Sequence, residues 1–287
     1  MLAEEQVVRH EDLGDPDLRL RRLVLHGPIA RTAKAGQFVA IQVQDQARLS
    51  MDPLLRRPIS IAEISPDQEE ITLLYRIKGR GTEILAQAKC GELLSVIGPL
   101  GNGFSLPQEG ELWLAAGGIG IFPLYALAQS ALNRGLGVRL FWGGETKLFL
   151  ESAGLSQWRA LGIPLHLSTL DGSLGYRGLV TELIETELLR VYGQAKQEYA
   201  KNDRGNGCGV SVAACGPKKM MESCTELALR FNVPVEVSLE ERMGCAVGAC
   251  LGCVCALRNE TKEIIHKKVC TDGPVFRGEE VVWDESC

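Results

Sequence analysis

Short apolar runs separated by glycine, proline and polar turns fill the first third of the chain. The runs are rich in residues that favour β-strands, and they lie at 18–25, 37–43, 70–77 and 92–98. Repeated short runs of this kind predict a small antiparallel β-barrel or sandwich, with a short helix over 82–88 near its end. We therefore expect a β-domain over residues 1–107.

From Glu111 onward the pattern becomes an alternation of strands and helices. The run 111–116 is almost wholly apolar, as in a buried parallel strand, and a glycine turn separates it from a helix predicted over 123–135. Further strands are predicted at 138–144, 164–169, 209–217 (including a turn) and 234–240, and further helices at 179–191 and 218–231. This alternation predicts a parallel α/β domain over 108–237, and the polar segment 192–207 is interpreted as an exposed extension of it.

The remaining residues, 238–287, have little helical pattern and hold six of the ten cysteines. We expect them to form a small module that is organised by a bound group rather than by a large apolar core. The predicted fold is therefore an antiparallel β-barrel, a parallel α/β domain and a small cysteine-rich module, in that order.

Composition and charge argue against two classes of partner. The net charge is −5 and no basic patch stands out, so a nucleic acid is not expected. The uncharged stretch 112–132 is long enough to span a bilayer, but three glycines and Pro123 interrupt it, so a buried strand, turn and helix explain it and no membrane association is expected. The acidic, polar N-terminus does not resemble a signal peptide, which predicts a cytoplasmic, reducing compartment.

In a reducing compartment, clustered cysteines indicate metal ligands or redox groups. Cys245, Cys250 and Cys253 have the C-x4-C-x2-C spacing of plant-type [2Fe–2S] proteins, and Cys270 follows after sixteen residues as the fourth ligand. Cys255 is the odd one out, because strand alternation after Cys253 carries it farther from the iron.

Three interspersed glycines, Gly244, Gly248 and Gly252, are expected to supply the unusual φ angles of a tight ligand loop. A structural zinc site with four cysteine ligands is the alternative. Zinc sites usually pair two C-x2-C units, and only one such unit is present here.

Two segments of the β-domain have the features of a phosphate site. Arg57 and Ser60 lie at a predicted strand end, three residues apart, where both can reach one phosphate. The segment 75–85 adds a Gly-x-Gly-Thr turn that leads into a predicted helix, whose free N–H groups also favour phosphate. Together they suggest a pyrophosphate held between a strand end and a helix start.

Two strand-to-helix turns of the α/β domain are candidates for dinucleotide binding. The first contains Gly117, Gly118 and Gly120, and departs from the G-x-G-x-x-G pattern because Pro123 replaces the third glycine. The second, at 215–220, brings Cys215 and Gly216 to the carboxyl edge of the sheet, where ligands of α/β folds bind.

The order of these motifs resembles the ferredoxin reductase-like flavoproteins: R-P-I-S, Y-R-x-x-G-x-G-T, G-G-x-G-x-x-P-L and C-G-P-x-x-M. The C-terminal sequences GCAVGACLGCVCAL and KVCTDGPVF are similar to those of one family among them, the electron transfer subunits of class 1B dihydroorotate dehydrogenase. The resemblance covers nearly the whole chain, except for the segment 192–207.

The resemblance implies which residues bind each group. The implied FAD contacts are Arg57, Pro58, Ile59, Ser60, Leu74, Tyr75, Arg76, Gly81 and Thr82. The implied cluster ligands are again Cys245, Cys250, Cys253 and Cys270. The two strand-to-helix turns and the segment after the strand at 164–169 supply the candidate nicotinamide contacts, which are Gly117, Gly118, Gly120, Asp171, Cys215, Gly216 and Pro217; a tight turn without a ligand is the alternative for the first of these turns. Asp171 lies in a segment that resembles the family's D-G-S-x-G-x-x-G-x-V-T sequence. A carboxylate at this position repels a 2′-phosphate, so we expect a preference for NADH over NADPH. Glu145 is a second candidate for the same role.

The function implied by the resemblance is electron transfer in pyrimidine biosynthesis. Electrons pass from the FMN of a separate dihydroorotate dehydrogenase catalytic subunit through [2Fe–2S] and FAD to NAD⁺, with two chains of each kind in a heterotetramer. No side chains of this sequence are assigned to the dihydroorotate chemistry. Two alternatives stay open at this point: a subunit of an NAD(P)H:ferredoxin or sulfide oxidoreductase, and a non-redox interaction module stabilised by zinc.

Overall fold

A computed structural model of the chain describes residues 1–43, 52–193 and 209–284. Most of the predicted polar extension, residues 194–207, lies outside the described residues, and helix α5 ends just before it at Tyr192.

The N-terminal part closes into a six-stranded antiparallel barrel with strand order β1-β2-β5-β4-β3-β6. Its strands are β1 (Leu2–Asp12), β2 (Leu20–His26), β3 (Phe38–Ile41), β4 (Arg57–Ser65), β5 (Glu70–Arg76) and β6 (Leu93–Leu100). The predicted barrel is confirmed, and the short helix near its end is α1 (Arg80–Leu85), two residues earlier than predicted.

The first barrel strand, β1, was not predicted from the polar N-terminal sequence. Its inward positions include Val7 and the carboxylate of Glu5, which is fully buried and accepts the N–H of Ile29 at 3.2 Å. A strand that directs a carboxylate inward does not show the apolar alternation by which strands are recognised.

The second part is a seven-stranded sheet with strand order β10-β9-β8-β7-β11-β12-β15, parallel except for β15. Its strands are β7 (Glu111–Gly117), β8 (Gly137–Gly144), β9 (Leu165–Thr169), β10 (Tyr176–Arg177), β11 (Val210–Cys215), β12 (Val235–Ser238) and β15 (Val275–Arg277). The helices that follow α1 are α2 (Tyr125–Asn133), α3 (Lys147–Ser152), α4 (Leu155–Ala160), α5 (Val180–Tyr192) and α6 (Lys218–Arg230). The predicted parallel α/β architecture is confirmed, with α3 and α4 as additions.

The uncharged stretch 112–132 divides as the sequence predicts, into β7, a turn and a helix. The turn is a 3₁₀ segment, Gly118–Leu124, so α2 begins two residues later than predicted. No helix among the described residues is both long and apolar enough to cross a bilayer.

The C-terminal module is less separate than the sequence suggests. It contains a two-stranded hairpin of β13 (Val254–Arg258) and β14 (Ile264–Lys268), but its last strand, β15, pairs antiparallel with β12. The prediction that the segment 234–240 ends the sheet is therefore wrong. A strand of three residues is too short to show a periodicity, and burial of Val275 and Phe276 holds it in place. The domain boundaries at 107 and 237 stay predictions.

We expect Leu114→Ala to lower the free energy of unfolding by about 2–5 kcal/mol, because Leu114 is fully buried in the central strand β7 and truncation leaves a cavity. Urea unfolding followed by far-UV circular dichroism measures the change. Leu229→Ala on α6, at a side chain that is 50% exposed, is the matched control and should change stability by no more than about 0.5 kcal/mol. Equal effects of the two substitutions would contradict the assigned core.

Candidate functional site

A cleft of about 230 Å³ opens where the barrel, the sheet and the C-terminal module meet. The barrel lines it with Phe38 and with residues of β4, β5 and the start of α1, and the sheet lines it with the 3₁₀ turn after β7. The C-terminal module closes it with residues between β12 and the first cysteine and with Pro274. All three parts therefore contribute to one site.

Seven of the nine predicted FAD contacts line this cleft. They are Pro58, Ile59, Ser60, Leu74, Tyr75, Arg76 and Thr82. The other two, Arg57 and Gly81, lie against each other at its edge: a Cβ on Gly81 would come within 2.6 Å of Arg57 Nη1. Glycine at position 81 thus permits this close approach of the guanidinium, which any larger residue would displace.

The guanidinium of Arg57 has spare hydrogen-bonding capacity. Its Nη2 donates to the carbonyl of Leu55 at 2.5 Å, but its Nε is buried and has no hydrogen-bond partner among the described residues. A buried donor without a partner is costly unless a ligand satisfies it, and a guanidinium fork matches phosphate oxygens. The turn beside it is held by Thr82 Oγ1, which accepts the N–H groups of Lys78 at 3.0 Å and Gly79 at 3.2 Å. This cradle fits the pyrophosphate of a dinucleotide.

Tyr75 is held in place by a residue that the sequence did not single out. His10 Nδ1 donates to the carbonyl of Ala88 at 2.9 Å, which leaves Nε2 to accept the Tyr75 hydroxyl at 2.9 Å. Burial raises the pKa of Tyr75 and lowers the pKa of His10, so both are neutral near pH 7. The contact joins strand β1 to strand β5 and is visible only in the folded barrel.

Two loops at the carboxyl edge of the sheet pack tightly against each other. A Cβ on Gly117 would lie 2.6 Å from Pro217 Cδ, and one on Gly216 would lie 2.9 Å from the nitrogen of Gly117. Gly120 likewise faces the carbonyl of Cys215. These glycines therefore permit close packing of the loops, whereas Gly118 has a φ of +55° and open space on its Cα. Cys215 is buried, which raises the pKa of its thiol.

Asp171 lies at the same edge, two strands away from Gly117, in the turn after β9. Its Oδ1 accepts the N–H of Ser173 at 3.0 Å and the hydroxyl of Ser173 at 2.6 Å. The hydroxyl bond to Ser173 is the main cause that lowers the pKa of Asp171, so the exposed group is a carboxylate near pH 7. Glu145 is adjacent, because its carbonyl accepts the N–H of Asp171 at 3.3 Å.

The cysteine loop directs backbone N–H groups at sulfur. Cys245 Sγ accepts the N–H groups of Ala249 and Cys250, each at 3.3 Å, and Cys250 Sγ accepts the N–H of Cys245 at 3.4 Å. A bond from the N–H of Val247 is the largest of the effects that lower the pKa of Cys245 to about 6. This thiol is therefore largely a thiolate at pH 7, the form that binds metal.

The loop's backbone differs in part from the expectation of three glycines with unusual φ angles. Gly248 has a φ of +80°, but the other positive values belong to Ala246 at 60° and Leu251 at 57°. Gly244 is required for space instead, since a Cβ there would lie 3.1 Å from Cys250 Sγ.

The other two predicted ligands, Cys253 and Cys270, form a second pair. Both are buried, and burial is the main cause that raises the pKa of Cys270 to about 11, with a hydrogen bond to Cys253 adding to it. Gly248 donates its N–H to Cys270 and so links the second pair to the first loop. The four sulfurs thus lie as two pairs around one loop.

Paired thiols suit two irons better than one zinc. A diiron cluster takes two thiolates on each iron, whereas a structural zinc ion takes four on one centre. The donor set therefore fits a [2Fe–2S] cluster, with Cys245 and Cys250 as one pair and Cys253 and Cys270 as the other.

Cys255 lies apart from these pairs. It is buried within the β13–β14 hairpin opposite Lys267, and its thiol donates to the carbonyl of Lys267 at 3.6 Å. Around the ligand loop, Val247 is 49% exposed and Leu251 is 62% exposed, while Phe276 is buried under the module. The ligand loop therefore exposes the apolar side chains of Val247 and Leu251.

Comparison with known proteins adds to this geometry. The family model described as the iron–sulfur cluster binding domain of dihydroorotate dehydrogenase B matches residues 240–282. The chain is 42% identical over 271 residues to the dihydroorotate dehydrogenase B (NAD⁺) electron transfer subunit of Geobacillus kaustophilus, covering 92% of this chain and 93% of the relative. It is 39% identical over 290 residues to the protein of the same name from Geobacillus sp. strain WCH70, covering 98% and 100%.

Among solved structures, an NADH-dependent reduced ferredoxin–NADP oxidoreductase, studied for flavin-based electron bifurcation, has a TM-score of 0.77 and 28% sequence identity. The match covers 98% of this chain and 91% of that one, so the similarity includes the barrel, the sheet and the C-terminal module.

We expect Cys255→Ser to keep two irons per chain, and Cys250→Ser and Cys270→Ser to lose them, because only the latter two belong to the sulfur pairs. Iron analysis and visible absorption after anaerobic purification measure the outcome. Loss of iron from the Cys255 variant together with retention in the Cys270 variant would reverse the ligand assignment.

Proposed function

The chain belongs to the family of dihydroorotate dehydrogenase B electron transfer subunits, and we propose that it carries electrons between a catalytic partner subunit and NAD⁺. The family resemblance drawn from its motifs is thereby confirmed. Its cofactors are FAD and a [2Fe–2S] cluster, with NAD(H) as co-substrate.

The observation that carries the proposal is the position of the cleft. Met243 lines the cleft two positions before Cys245, and Pro274 lines it four positions after Cys270. A flavin in the cleft is therefore next to the segments that hold the cluster ligands. The sheet lines the same cleft with Ile119 and Phe122, beside the loops proposed for the nicotinamide nucleotide.

FAD exchanges a hydride with NAD(H) and single electrons with a cluster, which is why it belongs between the two. The residues of the chain hold the groups in that order. Arg57 and the turn at Gly81 and Thr82 are proposed to bind the FAD pyrophosphate, with Ser60 and Tyr75 along the cleft. The N–H groups of Ala249 and Cys250 stabilise thiolate charge in the ligand loop.

A catalytic partner is implied by the family's role as an electron transfer subunit. We propose that this partner is an FMN-containing subunit, that two chains of each kind assemble, and that the complex acts in the cytoplasm. The exposed Val247 and Leu251 beside the ligand loop support a protein contact there, since apolar side chains at that position gain from exclusion of water.

A second candidate function rests on the structural similarity to the ferredoxin–NADP oxidoreductase, which extends over nearly the whole chain. In that case the partner would be another redox protein instead of a dihydroorotate-oxidising subunit. The identity of 42% to the dihydroorotate dehydrogenase B relative against 28% to the oxidoreductase favours the first proposal.

We expect the isolated chain not to oxidise dihydroorotate, but to confer NAD⁺ reduction on an FMN-containing catalytic subunit when the two are mixed. The measurement is NADH formation from dihydroorotate, followed at 340 nm as a function of the ratio of the two chains. A mixture no faster than the catalytic subunit alone would refute the proposal, and so would unaided activity of the isolated chain. A chain of the Cys250→Ser variant, with FAD but without the cluster, is the control for transfer through the cluster.

We expect a preference for NADH over NADPH, because the carboxylate of Asp171 repels a 2′-phosphate and can accept a ribose hydroxyl. Asp171→Ser should lower the ratio of kcat/KM with NADH to kcat/KM with NADPH about tenfold, mainly because kcat/KM with NADPH rises. Glu145→Ser tests the neighbouring carboxylate as the alternative. Equal kcat/KM values for the two nucleotides in the unaltered chain would contradict both assignments.

A further inference from the structure

The ammonium group of Lys268 lies against the loop that holds the proposed cluster ligands. Lys268 ends strand β14, two residues before Cys270, and its Nζ is 3.5 Å from the position that a Cβ would take at Gly248. Gly248 lies between Cys245 and Cys250 in sequence and donates its N–H to Cys270. The ammonium group therefore lies beside the residue whose N–H is bonded to Cys270.

The surroundings of Lys268 fix its backbone. Its N–H donates to Asp272 Oδ2 at 2.8 Å, and its carbonyl accepts the N–H groups of Asp272 at 2.8 Å and Thr271 at 3.2 Å. In the described part of the chain, no carboxylate lies within ion-pair distance of the Lys268 ammonium. Lys268 is half-buried, and this hydrogen-bonded turn fixes its backbone beside the ligand loop.

We propose that Lys268 sets the reduction potential of the cluster by stabilising its reduced form, an inference that rests on the proposed function. Four thiolates and the diiron core carry net negative charge, and the electron that the cluster accepts from the flavin or the partner adds one more. A nearby positive charge stabilises the more negative form. Charge removal should therefore favour oxidation of the cluster, without a change in its ligands.

The size of the effect follows from the separation and the partial exposure of the side chain. A charge within several Å at an effective dielectric constant of about 20 shifts such an equilibrium by a factor of ten or more. Solvent screening and the nearby Asp272 carboxylate reduce it. We expect an about tenfold fall in the ratio of reduced to oxidised cluster at a given ambient potential, equivalent to about 59 mV for one electron.

The experiment is a redox titration of the purified, cofactor-loaded chain, with the reduced cluster followed by electron paramagnetic resonance. Lys268→Met removes the charge and keeps most of the length, and Lys268→Arg keeps the charge. Lys267→Met is the matched control, because the neighbouring side chain on a strand points to the opposite face of the hairpin. We expect a lowered potential only for Lys268→Met, with unaltered iron content in all three variants.

An unchanged potential in an iron-loaded Lys268→Met chain would overturn the proposal, as would an equal shift in the Lys267→Met chain. An equal shift in Lys268→Arg would also overturn it, since packing rather than charge would then be responsible. If Lys268→Met does not assemble, the Lys268→Gln variant is titrated under the same criteria. Absence of iron from the unaltered chain would instead refute the proposed function, and this is measured before any titration.

Discussion

The contact between the end of the barrel and the segment after the last ligand holds the redox site together. Gly101 follows β6 directly, and a Cβ there would lie 2.5 Å from the carbonyl of Gly273. The N–H of Asn102 donates to that carbonyl at 2.5 Å, and its side-chain amide donates to the carbonyl of Asp272 at 2.9 Å. This contact holds Pro274 at the wall of the cleft, so the cleft and the segment that follows Cys270 are connected through it.

Electrostatics organises the ligand loop and the cleft in a similar way, because each has preformed hydrogen-bond donors that suit a negative charge. In the ligand loop, N–H groups aimed at Cys245 lower the pKa of its thiol, which favours the thiolate form that binds metal. At the cleft, the buried Nε of Arg57 has no partner among the described residues, and Nη1 of the same guanidinium lies against Gly81. A buried donor of this kind costs free energy of folding unless a partner satisfies it, so it favours the binding of an anionic group.

The barrel and the alternation of strands and helices could be predicted from the sequence, because each depends on local patterns, and the spacing also selected four cysteines that the structure brings together as two pairs. Spacing also predicted that Cys255 is not a ligand, and the position of Cys255 in the hairpin opposite Lys267 is consistent with that prediction. Elements with weak local signals were missed, such as β1 with its inward Glu5 and the three-residue strand β15. The glycines near Gly117 were expected at a nucleotide, and two of them, Gly117 and Gly120, serve the packing of one loop against another.

The sequence by itself determined which residue types are available for the chemistry: the cysteine spacing, the Arg57 motif and the Gly-x-Gly-Thr turn are all encoded over short stretches. Only the tertiary structure decided how they are combined. Three contacts join segments that are far apart in the sequence. They are the pairing of Cys253 with Cys270, the hydrogen bond of His10 to Tyr75 and the approach of Lys268 to Gly248. Such contacts depend on strand register and loop closure, which are set by the packing of the whole chain and leave no periodic mark on its sequence.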